Sequence, residues 1–126
     1  MQNLDPIKLI NTIIVKTRNS EMIWDKLKED DATSLPISLT FENVTIEYDK
    51  SYKSTFDKLM FYLAYIKRTS GRDGSRFIGY ELSISLGNEF QIIEIDQSYL
   101  YELQTDIEFI LKKQSKLDEK IYEFLN

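Results

Sequence analysis

Cysteine and histidine are both absent from this 126-residue chain. The first absence removes disulfides, thiolate nucleophiles, iron–sulfur clusters and cysteine zinc sites together. The second removes the usual acid–base group near neutral pH and the commonest metal ligand. With it go Ser-His-Asp chemistry, histidine zinc sites and the two-histidine iron triad. An enzyme built from what is left would need carboxylates with Mg²⁺, a perturbed lysine or a tyrosine. No run approaches the ~18 apolar residues that a membrane span requires. The amino terminus, Met1 to Pro6, has no basic stretch leading into an apolar one, so the expectation is a cytoplasmic protein, in the host cytoplasm if phage-encoded, with no membrane contact.

Arginine is scarce as well, with four against twelve lysines. Together with abundant Ile, Asn and Lys, this bias suggests an AT-rich coding background, that of a low-GC bacterium or its mobile elements. Three of the four arginines, Arg68, Arg72 and Arg76, fall within the polar stretch 67–76, which lies between two strongly apolar segments. That stretch carries net +3, so the other 116 residues carry −8 against −5 for the whole chain. A basic projection on an acidic body is the expectation. The remaining composition, 42% hydrophobic and 13% aromatic, suits one two-layer core and a single domain over residues 1–126.

Along the chain, Asp5-Pro6 reads as an N-cap followed by proline at the first helical position. Leu9, Ile10, Ile13, Ile14 and Thr17 then recur on one face, giving a first helix over about residues 5–18 with its exit at Arg18-Asn19-Ser20. Residues 21–27 form a strand or an irregular edge, with Trp24 and Leu27 turned to the core. Residues 28–36 read as a polar loop ending in proline. Leu39, Phe41, Val44, Ile46 and Tyr48 alternate at period two, with a phase slip at Glu42-Asn43 and a turn at Asp49-Lys50-Ser51.

The alternation continues through Tyr52, Ser54 and Phe56 into the run Leu59 to Ile66, which is apolar on both faces and so predicts a central strand. Ile78 to Leu86 alternates as a half-buried strand, making a long hairpin around 67–76, and Gly87-Asn88 turns the chain into a return strand over Phe90 to Ile95. Ser98 or Asp96 caps a final helix of roughly 27 residues and about 40 Å, longer than a small sheet needs. Its end is expected to project, to kink near Gln114-Ser115 or to pair with another chain. The fold class is therefore α+β: an N-terminal helix, a four- to five-stranded antiparallel sheet and a long C-terminal helix, as a two-layer sandwich with both helices on one face. Tyr62, Tyr65 and Tyr80 are expected on the other face or at a docking surface.

The segment Ile14 to Leu27, with Lys16-Thr17-Arg18-Asn19-Ser20 followed by Ile23-Trp24, resembles a pattern in small uncharacterised α+β proteins of low-GC bacteria and their phages. There the first helix ends in Lys-Thr-Lys-Asn-Gly and an isoleucine-any-tryptophan step follows. Arg18 and Ser20 depart from that pattern. The resemblance implies a small α+β protein in a bacterial or phage setting and brings no activity or catalytic residues to assign.

The candidate binding residues are Lys67, Arg68, Arg72 and Arg76, with Tyr62, Tyr65 and Tyr80 beside them. Arginine supplies a planar fork of donors for carboxylate or phosphate, and Gly71 and Gly74 let backbone N–H groups converge. The stretch lacks the lysine and following helix of a P-loop. Carboxylate pairs occur at Glu47/Asp49 and Glu94/Asp96, an acidic knot at Glu29-Asp30-Asp31 and a lysine stripe at Lys112, Lys116 and Lys120, all read as solvated. No catalytic residue, cofactor or metal site is assigned. The function expected is non-catalytic binding by protein–protein contact, to a partner with an acidic surface, as a phage or mobile-element inhibitor, anti-defence or immunity protein. A homodimer is a further expectation. The alternative is a nucleotide- or nucleic-acid-binding module using the arginine stretch with tyrosine stacking.

Overall fold

A computed structural model of the chain describes residues 4–34, 44–69 and 74–126. The first helix, α1, spans Pro6–Arg18. It starts where the sequence places it, because the Asp5 carboxylate accepts the N–H groups of Ile7 and Lys8 at 3.1 and 3.2 Å and Pro6 has no N–H to satisfy. Past its end Ser20 takes φ +60, which reverses the chain into the short strand β1, Trp24–Lys26. Trp24 is a core anchor, its indole N–H donating to the buried Thr17 hydroxyl at 3.0 Å. A 3-10 turn, Glu29–Ser34, follows where a polar loop is expected. Lys28 and Asp31 close it reciprocally, through Lys28 N–H to the Asp31 carboxylate at 2.8 Å and Asp31 N–H to the Lys28 carbonyl at 2.9 Å. The alternation at Leu39 and Phe41 and the slip at Glu42-Asn43 lie outside the described residues.

Among the described residues the sheet is antiparallel and six-stranded, one more than the expected upper count. Its centre is β4, Leu59–Thr69, paired from Met60↔Ser85 to Thr69↔Arg76 with β5, Arg76–Leu86. β4 is apolar on both sides because both are covered: Phe61 and Leu63 face the helices, while Tyr62, Ala64 and Ile66 are buried on the opposite face with Leu27. The other edge of β4 is shared by two short strands, β2 (Val44–Ile46) along its distal half and β3 (Tyr52–Phe56) along its proximal half. β1 completes that side by pairing with β3. The expected turn at 49–51 is a 3-10 turn, Tyr48–Lys50, set inside this edge. There the chain leaves the ladder and the Ser51 hydroxyl takes its place, accepting the Tyr65 N–H at 2.9 Å and donating to the Glu47 carbonyl at 2.7 Å.

β3 and β4 are joined by a tight turn at Asp57-Lys58, with Asp57 at φ +58. Gly87-Asn88 turns β5 into β6, Glu89–Ile93, and Gly87 at φ +59 uses the freedom that only glycine has at low cost. The last helix, α2, spans Gln97–Leu125 and starts at Asp96, whose carboxylate accepts the Ser98 N–H at 2.9 Å. That contact with Ser98 holds the carboxyl below its ordinary range.

Both helices lie on one face of the sheet, so Ile10, Ile13 and Ile14 of α1 and Leu100, Leu103 and Ile107 of α2 form one core with Tyr52, Leu63, Tyr80 and Leu82. Arg18 ties the end of α1 to the first half of α2, 2.9 Å from both Glu102 and Asp106; the hydrogen bond to Asp106 leads in raising its pKa. Beyond Ile107 no residue of α2 is buried, and from Lys112 on every residue is exposed. The helix runs unbroken through Gln114-Ser115 and projects from the body. Among the described residues no helix is long and apolar enough to cross a membrane.

Candidate functional site

The β4–β5 hairpin brings three of the predicted cations to the end at which its two strands are joined. Lys67 and Arg68 lie near the end of β4 and Arg76 begins β5, with Thr69↔Arg76 the last pair of the ladder. Arg72 lies outside the described residues. Strand alternation sends Lys67 and Arg68 to opposite faces, and each meets a carboxylate of the protein itself. Lys67 Nζ is 3.1 Å from Glu47, and Arg68 Nη2 is 3.5 Å from the carboxylate of the buried Glu81 while its guanidinium lies 5.6 Å over the Phe77 ring. The hydrogen bond from Lys67 leads in holding Glu47 below its ordinary range, assisted by Lys50. Arg76 is exposed, and among the described residues it makes no ion pair. The basic end is therefore partly compensated from within, and of these three cations Arg76 is the one without a carboxylate partner among the described residues.

Two of the three tyrosines lie on the face opposite to the one expected. Tyr65 and Tyr80 face the helices, because the register pairs them directly and Tyr80 meets Tyr101 of α2. The three rings pack edge to face, at 5.0 Å between Tyr65 and Tyr80 and 5.3 Å between Tyr80 and Tyr101. Tyr80 is 3% exposed and donates its hydroxyl to the Lys50 carbonyl at 3.0 Å. Tyr62 does lie on the opposite face, but at 4% exposure. Lys50 sits 5.0 Å over the Tyr65 ring. Neither Tyr62 nor Tyr80 offers a free ring to stack on a base, since both were drawn into the two cores by the apolar strands that carry them. Burial raises the phenol pKa of Tyr80, and burial followed by the Glu108 contact raises that of Tyr52, so both stay protonated at neutral pH.

The carboxylates have structural employment. Glu47 holds Lys67 and Lys50, and Asp96 caps α2. Asp31 accepts from Lys28 N–H and Lys53; burial alone would raise its pKa, but these two contacts outweigh it and lower it. Among the described residues no group of three or more acidic side chains converges as a metal site.

One feature at this end is invisible in the sequence pattern. β6 stops pairing at Leu82↔Ile93, while β5 runs on to Arg76, leaving the outer edge of its first half without a strand among the described residues. The first open position is closed by a side chain. Gln97 accepts the Tyr80 N–H at 2.9 Å and donates to the Tyr80 carbonyl at 2.7 Å, so its carboxamide pairs as a strand residue would. By alternation the backbone groups of Ile78 and Arg76 point to the same edge. Gly79 makes room for the clip, because a Cβ there would lie 2.6 Å from Gln97 Oε1. A lone glycine inside an alternating strand is the one sequence signal that could have revealed this close approach.

No protein-family model, curated protein or solved structure matches this chain. The edge itself must therefore carry the functional argument. It presents backbone donors and acceptors at Ile78 and Arg76, exposed apolar side chains at Phe77 and Ile78 on alternate faces, and the cation of Arg76.

Proposed function

We propose that this chain is a non-catalytic binding protein acting by protein–protein contact, and that it takes an extended acidic segment of its partner along the open edge of β5. The observation that carries this reading is the edge from Arg76 to Ile78, which has no strand partner among the described residues and adjoins the only arginine-rich stretch of an otherwise acidic chain. Strand addition draws affinity from main-chain hydrogen bonds and specificity from side chains on alternate faces, and this edge supplies both. An acidic segment is repelled by the body and attracted to the hairpin end, which orients its approach. The composition and the resemblance noted above support a phage or mobile-element setting, with a role as inhibitor, anti-defence or immunity protein. Burial of Tyr62 and Tyr80 weighs against the nucleotide and nucleic-acid alternative, which needs rings free to stack.

Selection from a library of random displayed peptides tests the proposal. Binders should be extended and acidic, should weaken with salt, and should be lost with Ile78→Pro and Arg76→Glu. Proline at 78 removes an outward N–H without breaking a β4–β5 hydrogen bond, because Tyr65↔Tyr80, and hence Lys67↔Ile78 two positions on, are non-hydrogen-bonded pairs. Peptides that bind both variants as well as the parent would place the contact elsewhere, and a selection yielding no binder would defeat the proposal.

A further inference from the structure

α2 carries one apolar seam along its whole length, and only the first half is covered. Leu100, Leu103 and Ile107 are buried against the sheet and α1. The same alternating spacing of three and four continues through Ile110, Gln114, Leu117, Ile121 and Phe124. In this second half Leu117 is 54%, Ile121 48% and Phe124 88% exposed. The stretch from Lys112 to Leu125 spans roughly 20 Å of helix. A helix of that length is marginal in water without tertiary packing, and its uncovered seam is a contiguous strip rather than scattered surface residues.

We propose that the second half of the seam is covered by the same segment of a second copy, lying antiparallel in an isologous two-fold dimer. Direction follows from what already occupies the seam. The sheet fills the seam side of α2 as far as Ile107, so a parallel copy would bring the first half of its own helix into the space of this sheet. An antiparallel copy sets tail against tail, and each body stands beyond the other helix's tip.

Charge agrees with that direction. The tail opens with Lys112, Lys113 and Lys116 and closes with Asp118, Glu119 and Glu123 against Lys120 alone. Antiparallel overlap places the basic part of each tail on the acidic part of the other, whereas parallel overlap would stack like on like. Shape agrees too. Where the tail leaves the body, a cleft of about 610 Å³ opens beside Arg18, Phe109, Ile110, Gln114 and Leu117. With Leu117 packed on the second copy's Ile121, the second copy's Phe124 arrives opposite Gln114, at the mouth of this cleft.

The cysteine-free chain makes the test direct, since any introduced thiol is unique. Light scattering at about 100 µM should give twice the 14.9 kDa chain mass, and Leu117→Asp with Ile121→Asp should return a monomer. Both residues are exposed in the single chain, so the body should stay folded, with loss of signal confined to tail helicity in circular dichroism. Oxidation of mixed Gln114→Cys and Phe124→Cys proteins should give the mixed disulfide dimer, while Gln114→Cys alone should not link to itself. A monomeric parent at that concentration, a dimer surviving the double aspartate change, or self-linking of Gln114→Cys would each overturn the proposal. None of these readouts depends on the β5 edge.

Discussion

Replacing Ser51 with alanine should cost far more than the loss of one surface hydroxyl. Ser51 is fully buried and its oxygen stands in for a missing strand residue between β2 and β3. Removing it leaves the Glu47 carbonyl with another donor, the Lys50 N–H at 3.1 Å, but leaves the Tyr65 N–H facing a methyl group. A buried backbone donor without a partner costs about 1–3 kcal/mol. For a chain of this size that corresponds to a fall in melting temperature of roughly 3–15 °C. Ser54→Ala is the matched control. Ser54 is itself buried, but its hydroxyl only donates, to the carbonyl of the exposed Ile23 at 2.7 Å, and its removal strands no backbone N–H, so the loss should stay below about 1 kcal/mol. Urea denaturation followed by circular dichroism measures both, and hydrogen exchange reports the Tyr65 amide directly. If Ser51→Ala costs no more than Ser54→Ala, or the Tyr65 amide exchanges at the parent rate, the stitching role is refuted.

Gly79→Ala should displace the Gln97 carboxamide and cost about 1–2 kcal/mol through the two Tyr80 hydrogen bonds, and the penalty should largely vanish in a Gln97→Ala background, which a double-mutant cycle in urea would reveal. Additive costs would mean that the two residues do not share one device. Alkaline pH should destabilise the fold through Tyr52 and Tyr80. Their folded pKa values are raised above the ordinary value near 10, mainly by burial, so their contribution is fully present below about pH 10 and is lost as pH rises, because the unfolded chain ionises first. Ultraviolet titration should show tyrosines that ionise only with unfolding, and Tyr52→Phe should flatten the decline. All eight tyrosines titrating together near pH 10 in a folded protein would contradict this.

Much of the architecture is written locally. Asp5-Pro6 starts α1, Asp96 starts α2, the two-sided apolar run marks β4 as central and Gly87-Asn88 marks a tight turn, each because a single residue type satisfies a specific backbone need. Other features depend on pairings that no local pattern reveals. Parity along β4 separates Tyr62 from Tyr65, but only the register Tyr65↔Tyr80 and the choice of face by the helices decide which rings are buried where. The Asp57-Lys58 turn lacks the glycine that usually signals a hairpin. The open edge of β5 exists only because β6 stops at Ile93, a length the alternation through Ile95 overstates by two residues.

The cationic stretch that dominates the sequence is also partly spent, in Glu47 and Glu81, on holding its own hairpin. Charge counts cannot show that, because Glu47 and Glu81 lie outside the stretch and reach it only through the sheet.

The carboxamide clip at Tyr80 has a consequence for how copies of this protein behave in a crowded solution. An unguarded strand edge is a template on which further strands accumulate. Gln97 takes the Tyr80 backbone groups out of that template, leaving, among the described residues, those of Ile78 and Arg76 for a newcomer. So short a ladder gives little purchase to an arbitrary strand, and any that stays must match Arg76, Phe77 and Ile78 with its own side chains. A single side chain at the start of a helix thereby shortens the template that further copies could extend.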